Sequence, residues 1–393
     1  MDNNRETART KPLRPLQLNP TLESLPAFPF VRLDELRDSM RERGETLFDF
    51  GTGDPREPTD PKILRALQES APPVSQYPVV PGKRELRRSF CDWLQRRHGV
   101  HLDPETEALP ANGSKEAIFH APFAFLHPSQ ARKGVAYGTP GYPVYERGTL
   151  FAGGEVLTVQ LKPEDGFLLN PEAVDPQRTR ILWINYPHNP TGATASREYL
   201  EEVVEYCHRH DILLFSDECY NEIYSGEPPP SALEVSTERV VAFVSLSKRS
   251  GMTGYRTGMM AGDAEVVGAL RRLRPSIGVA SPEFVQNAAI AAWSDDEHVR
   301  ERREVFGAKR ELFTAFLDRA RIEYQPTDAS FYLWVAAPGG DDAAYALRLL
   351  EEGIIVAPGR GFGPGGEGFV RVALVPGLED CRRAIERWEG VAG

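Results

Sequence analysis

Ser245, Ser247, Lys248 and Arg256 fall in one segment, Ser245-Leu-Ser-Lys-Arg-Ser-Gly-Met-Thr-Gly-Tyr-Arg256, directly after the apolar run Val240-Val-Ala-Phe-Val244. A lysine that leaves a buried strand is a candidate nucleophile. Its amine suits a Schiff base with an aldehyde cofactor, and the hydroxyls with the Gly-spaced arginine suit that cofactor's phosphate. Asp217 ends a second apolar run, Ile212-Leu-Leu-Phe-Ser-Asp217. A carboxylate at the end of such a strand is costly unless paired. A protonated ring nitrogen is a fitting partner, and Tyr220, just downstream, is placed to reach the same ring's phenolic oxygen.

Four further segments gain meaning from these two. Asn185-Tyr-Pro-His-Asn-Pro-Thr-Gly192 is dense in turn residues, and Asn189 offers an amide to the phenolic oxygen. Asn112-Gly-Ser-Lys-Glu-Ala117 opens a helix, where free backbone N–H groups and Ser114 make an anion site. Pro140-Gly-Tyr-Pro-Val-Tyr145 supplies Tyr142 to stack on a ring. Arg371 lies inside the apolar run Gly368-Phe-Val-Arg-Val-Ala-Leu374 and needs an anion; its fork fits a substrate carboxylate. Read singly, these four are a tight turn, a serine N-cap, a core aromatic and a structural ion pair.

The elements that must position these groups follow from apolar periodicity. The clearest strands are Gly134–Tyr137, Glu155–Leu161, Arg180–Asn185, Ile212–Asp217 and Val240–Ser245, with helices at Ser114–Leu126, Tyr142–Phe151 and Ser196–Arg209. Strand–helix alternation predicts a mostly parallel, helix-covered α/β sheet with ligands outside the carboxyl ends of its strands. Residues 1–25 read as a loosely ordered arm, and Phe30–Arg43 has helical spacing. Beyond residue 280 the texture changes. A long charged helix over 282–321 leads to a strand at Ser330–Val335, a helix at Asp342–Glu352 and strands at Gly353–Ala357 and Gly368–Leu374. The expected division is an arm and helix over 1–50 that packs with the small domain, a large cofactor-binding domain over 51–280, and a small α+β domain over 281–393. The glycine-rich Gly359-Arg-Gly-Phe-Gly-Pro-Gly365 precedes a strand, which argues against a dinucleotide loop and for a mobile connection.

Composition narrows the class. The 393 residues are 41% hydrophobic and 26% charged, with net charge −11. That balance argues against nucleic acid and against an anionic membrane surface as partners. Four scattered cysteines fit a reduced, cytoplasmic setting. His98 with His101, and His208 with His210, have no ligand-spaced neighbours and read as surface residues, so no metal is expected. The early basic residues Arg5, Arg9, Lys11 and Arg14 are not followed by an apolar stretch, so neither a signal peptide nor a membrane span is expected.

Taken together and in this order, the motifs resemble the class I/II aminotransferases of fold type I, along nearly the whole chain. The resemblance rests on NYPHNPTG, SDECY, SLSKRSGMTGYRTG and the late Phe-Val-Arg. It implies an enzyme with pyridoxal 5'-phosphate as cofactor and a seven-stranded, mostly parallel sheet in its large domain. It implies Lys248, Asp217 and Tyr220 as catalytic residues. It also implies Gly113, Ser114, Lys115, Tyr142, Asn189, Ser245, Ser247 and Arg256 as cofactor contacts. Gly53, Asn189 and Arg371 would bind the substrate. Tyr77 would reach the phosphate in a partner subunit's site, because such enzymes are homodimers with sites at the interface.

Within that family, Gly53-Asp-Pro-Arg-Glu-Pro-Thr59, Leu109–Ala117 and Ser216–Tyr224 are similar to N-succinyldiaminopimelate aminotransferases of lysine biosynthesis. The implied reaction moves an amino group between that amino acid and a 2-oxo acid, 2-oxoglutarate, forming glutamate. Arg56, Lys83, Arg147 and Arg249 are candidates for the substrate's distal carboxylates. An aspartate or alanine aminotransferase, a C–S β-lyase on the same cofactor and a non-catalytic cofactor-binding regulator are the rival readings.

Overall fold

The apolar runs pair into sheets in the computed structural model, which describes residues 16–25, 31–278 and 280–392. In chain order the strands begin with β1 (Phe48–Asp49), β2 (Ala108–Ala111), β3 (Gly134–Thr139), β4 (Glu155–Gln160), β5 (Thr179–Asn185) and β6 (Leu213–Asp217). They continue with β7 (Val240–Ser245), β8 (Gly258–Gly262), β9 (Tyr332–Ala336), β10 (Ile354–Ile355), β11 (Ala357–Pro358) and β12 (Phe369–Ala373).

The main sheet has seven strands in the order β2-β8-β7-β6-β5-β3-β4. All neighbours from β7 to β4 run parallel, and only β8 is antiparallel to both of its neighbours. Both faces are covered, which is why these strands read as unbroken apolar runs. Tyr137, Trp183, Phe215 and Phe243 enter one core cluster, and Ala136, Leu182, Leu214 and Ala242 enter the cluster on the other face. The parallel strands end together. Asn185, Asp217 and Ser245 are the last residues of β5, β6 and β7, three adjacent strands, so all three lie at one carboxyl edge.

A three-stranded antiparallel sheet, β11-β12-β9, carries Arg371 within β12. Its own core joins Leu333, Val335, Val370 and Val372 to Phe313, Phe316 and Trp388. The short strand β1 pairs in parallel with β10, and helix Val31–Glu42 packs on helix Asp342–Glu351.

Several expectations need correction. The charged helix expected over 282–321 is two helices, Glu283–Trp293 and Glu297–Ala320. The break falls at Asp295 and Asp296. Asp295 accepts a hydrogen bond from the backbone N–H of His298, and Asp296 pairs with Arg249 at 2.6 Å. Side chains that bond the backbone this way favour a helix start over a helix interior. The helix expected to run to Leu126 ends at His120 and continues as a 3-10 turn through Pro122, whose ring cannot continue the ladder. His98 is not a surface residue: its side chain is 1% exposed and its Nδ1 lies 2.5 Å from Glu234. Of the N-terminal arm, residues 1–15 lie outside the described residues, as do Arg5, Arg9, Lys11, Arg14 and the start of the Phe30–Arg43 helix. Pro20–Ser24 is a single helical turn capped by Asn19. The glycine-rich connection, expected to be mobile, is bonded near its start and at its middle. The Gly141 N–H donates to the Phe362 carbonyl at 2.8 Å, and Arg360 bonds Asp342.

Trp293 is fully buried, 4.8 Å from Trp93 and 5.0 Å from Phe90 between ring centroids, with the Arg249 guanidinium over it at 5.0 Å. Truncating it to alanine removes a large filled volume and uncovers a buried cation. Trp293→Ala is expected to lower unfolding free energy by about 3–5 kcal/mol, read from urea unfolding.

Candidate active site

Lys248 sits in the four-residue helix Leu246–Arg249 that follows β7, and the Ser245 hydroxyl caps that helix by accepting from the Ser247 N–H at 3.1 Å. Arg249, its sequence neighbour, points the other way. It is buried against Trp93 and Trp293 and donates to the Ala292 carbonyl at 2.7 Å. The turn is therefore gripped from behind while Lys248 faces forward. Its Nζ contacts the Gly53 carbonyl. Burial lowers its pKa from the ordinary lysine value to about 8, with Arg371 and Arg256 acting in the same direction.

Lys248 lines a cavity of about 550 Å³ at the carboxyl edge of the main sheet. Gly53, Ser114, Lys115, Tyr142, Asn189, Asp217, Tyr220, Ser245, Ser247, Arg256 and Arg371 line it too. Gly113 stands behind Arg256: a Cβ there would meet the Arg256 Nη2 at 2.4 Å, and its φ is +85°. Only glycine lets that guanidinium lie against the helix start. Arg256 donates to the Thr253 and Asn112 carbonyls at 2.7 and 3.4 Å. The residues expected in this chain's own site thus converge, with Gly113 just behind the wall. Tyr77, expected to reach a partner subunit's site, does not line this cavity and is 94% exposed.

Asp217 is buried, and burial pushes its carboxyl pKa up against hydrogen bonds from Cys219 and Tyr145. The Tyr145 hydroxyl donates to Oδ2 at 2.8 Å. Asn185 donates to the Asp217 carbonyl at 2.7 Å and accepts from the Asn189 N–H at 2.9 Å. The Asn189 Oδ1 in turn accepts from Arg371 Nη1 at 2.8 Å, and Arg371 Nη2 donates to the Gly51 carbonyl at 2.7 Å. The guanidinium lies over the rings of Tyr332, at 4.4 Å, and Phe362, at 4.7 Å; its Nε has no partner among the described residues.

None of Arg56, Lys83, Arg147 and Arg249 lines this cavity. Lys83 bonds Asn287, Arg56 is exposed near Asp49, and Arg249 is locked in the tryptophan layer. Two tyrosines that bond the site's residues were not anticipated. Tyr145 follows Tyr142 by one helical turn, and that spacing was the available signal for its contact with Asp217. Tyr332 lies on β9, where the register sets Ala373 opposite Tyr332 and Arg371 opposite Trp334. Alternation places Tyr332 on the same face as Arg371, a relation visible only once the two strands are paired. Its hydroxyl is 3.1 Å from that of Tyr220.

The family model for aminotransferases of class I and II matches residues 45–387. The chain belongs to that family. This aminotransferase has the fold type I architecture and is a pyridoxal-phosphate-dependent transaminase. The LL-diaminopimelate aminotransferase of Aquifex aeolicus is 38% identical over 377 residues, spanning 93% of this chain and 97% of that protein. The solved structure of a probable N-succinyldiaminopimelate aminotransferase from Thermus thermophilus matches with a TM-score of 0.85 at 32% identity, over 92% of this chain and 99% of the other. A single mutant of the Thermus thermophilus aspartate aminotransferase matches at 0.89 and 28% identity, over 96% and 100%. The subgroup expected from sequence is thus represented among its neighbours beside relatives that carry a different substrate name. No helix among the described residues is long and apolar enough to cross a membrane.

The residues present fit the cofactor. The Asn189 side-chain amide has no hydrogen-bond acceptor among the described residues, Asp217 is a buried acid without a cation, and Gly113 leaves open the cradle beside Arg256. A lysine pKa near 8 has a testable consequence. The folded-state value lies below the ordinary one, so the neutral amine prevails above about pH 8 and is lost as pH falls. Uptake of pyridoxal phosphate by the cofactor-free protein, followed by absorbance, is expected to rise about tenfold per pH unit up to roughly pH 8 and then level. A rise that continues unbroken to about pH 10 contradicts it.

Proposed function

We propose that this transaminase uses Lys248 as both cofactor anchor and proton carrier, with a diaminopimelate-type amino acid as amino donor. The observation that carries the first part is Lys248, its pKa lowered by burial, in one cavity with buried Asp217 and with Arg371. When bound, pyridoxal phosphate supplies an aldehyde that takes up amines and a ring that draws electrons from the substrate's Cα. Lys248 accepts the Cα proton on Nζ and later returns it; an amine of pKa near 8 suits both directions near neutral pH. The Asp217 carboxylate would hold a cationic ring nitrogen, which would relieve the cost of its own burial. Asn189, through its side-chain amide, and Tyr220 would hold the phenolic oxygen. Tyr142 would pack on the ring. The N–H groups at Gly113, Ser114 and Lys115, with Ser245, Ser247 and Arg256, would hold the phosphate.

Arg371 receives the α-carboxylate beside Gly53 and turns the Cα–H bond toward Lys248. The substrate reading is supported by the names of the relatives: a diaminopimelate, free or succinylated, feeding lysine biosynthesis, with 2-oxoglutarate as acceptor. Exposed Tyr77, with Val74 and Val79 beside it, supports a homodimer in which this segment enters the partner's site. We assign the arm and first helix to 1–50, the cofactor domain to 51–280 and the small domain to 281–393.

Lys248→Ala is expected to abolish both turnover and the absorbance of the lysine-bound cofactor. Normal turnover in that variant contradicts the assignment. Arg371→Ala removes a charged hydrogen-bond partner worth about 1.5–3 kcal/mol, so kcat/KM should fall roughly 10- to 150-fold. Mixing the holoenzyme with LL-diaminopimelate, its N-succinyl form, aspartate and alanine, and following loss of the aldehyde form, tests the substrate class. A fast response to aspartate with none to either diaminopimelate overturns it.

A further inference from the structure

A second cavity of about 310 Å³ adjoins the cofactor cavity. The two share Gly51, Thr52, Pro143, Phe362 and Arg371 as walls. Arg371, the expected anchor of the α-carboxylate, thus faces both spaces, and this one is open to the rest of a substrate held there. Leu350, Ile355 and Val356 make its wall apolar. The exception is the wall not shared with the cofactor, where helix Val31–Glu42 presents Asp34 and Arg37. These two form an ion pair, Arg37 Nη1 to Asp34 Oδ1, at 2.6 Å, with the side chains 30% and 42% exposed. Arg37 Nε also reaches Asp38 at 3.2 Å, and no other hydrogen bond or ion pair among the described residues engages Arg37. One edge of the guanidinium is left for a ligand.

We propose that the Asp34–Arg37 pair receives the distal head of the substrate, so that this enzyme takes a free diamino dicarboxylic acid in preference to its N-acylated form. The inference rests on the diaminopimelate reading and narrows it. A distal amino-acid head carries one ammonium and one carboxylate. The wall offers one carboxylate and one guanidinium, and the two pairs match charge for charge. The methylenes between the two heads suit the apolar wall. Acylation of the distal nitrogen removes the cation that Asp34 needs, and a succinyl group adds a carboxylate beside Asp34. That carboxylate would meet like charge and no further cation in this wall. The four basic residues suggested by sequence do not line this cavity either. Partial exposure screens the pair, so its effect on selectivity is a modest multiple.

The experiment uses the full-length holoenzyme and follows the half-reaction with four amino acids of the same backbone length. They are LL-diaminopimelate, N-succinyl-LL-diaminopimelate, 2-aminopimelate, which lacks the distal amine, and 2-aminoheptanoate, which lacks the distal head. The wild type should prefer free diaminopimelate to each of the others by about tenfold or more. Asp34→Asn should collapse its preference over 2-aminopimelate. Arg37→Gln should cut the ratio of 2-aminopimelate to 2-aminoheptanoate by about tenfold, and Arg37→Lys should restore part of it. Calorimetry of pimelate binding gives a readout without turnover: Arg37→Gln should weaken it by about tenfold. Variants that change all four substrates by one common factor, or that leave pimelate binding unchanged, overturn the role of the pair and leave the diaminopimelate reading standing. A wild type that ignores both diaminopimelates while transaminating other amino acids overturns that reading, and the inference with it.

Discussion

A chain of side-chain and backbone hydrogen bonds runs from the small sheet to the main sheet, and the rest of the site hangs on it. Arg371 donates to Asn189, the Asn189 backbone donates to Asn185, and Asn185 donates to the Asp217 carbonyl. The group placed to hold a substrate's carboxylate and the group placed to hold a ring nitrogen are thus set relative to each other by three bonds. Each link is buried, where an unmade hydrogen bond is expensive, so whatever takes Arg371 from Asn189 must replace the bond it breaks. Lys248 is placed independently, by the Ser245 cap in front and the Arg249 grip behind. The two systems meet in one cavity because β5, β6 and β7 are adjacent parallel strands that end at the same edge.

Much of this was legible in the residues, for identifiable reasons. Loops that carry chemistry use residue types that strands and helices avoid. NYPHNPTG and SLSKRSGMTGYRTG therefore stand out against apolar surroundings, and the cavity does collect Asn189, Lys248 and Arg256. The parallel sheet was legible because burial on both faces leaves unbroken apolar runs. Other features depended on pairings that no local pattern encodes. Tyr332 reaches the site through the register of β9 against β12. Arg249 looked like a free cation until the two tryptophans closed on it. The break at Asp295 and Asp296 was hidden because both flanking segments are helix-forming, the first mostly apolar and the second charged, so helical composition runs straight through it.

The distribution of charge also sorts the cavity's surroundings by task. The cofactor region places Lys248, Arg256 and Arg371 around one buried acid, Asp217, an arrangement suited to an anionic guest. The adjoining space has an apolar wall, with a single matched pair at the side away from the cofactor. A long substrate would therefore lie with its reacting end among cations and its far end against a neutral pair. Selectivity and chemistry are then assigned to different elements, the main-sheet loops for one and the N-terminal helix for the other.

Arg371 is not idle before substrate arrives. Its two terminal nitrogens already donate to Asn189 and to the Gly51 carbonyl, and Nε has no partner among the described residues. Capture of a carboxylate there would consequently be an exchange of acceptors, and the net gain would be the difference between two sets of bonds. A departing product would leave the same protein oxygens to take its place. In a reaction that must bind one acid, release it and bind another at the same arginine, that reserve of internal acceptors keeps the doorway from becoming a trap.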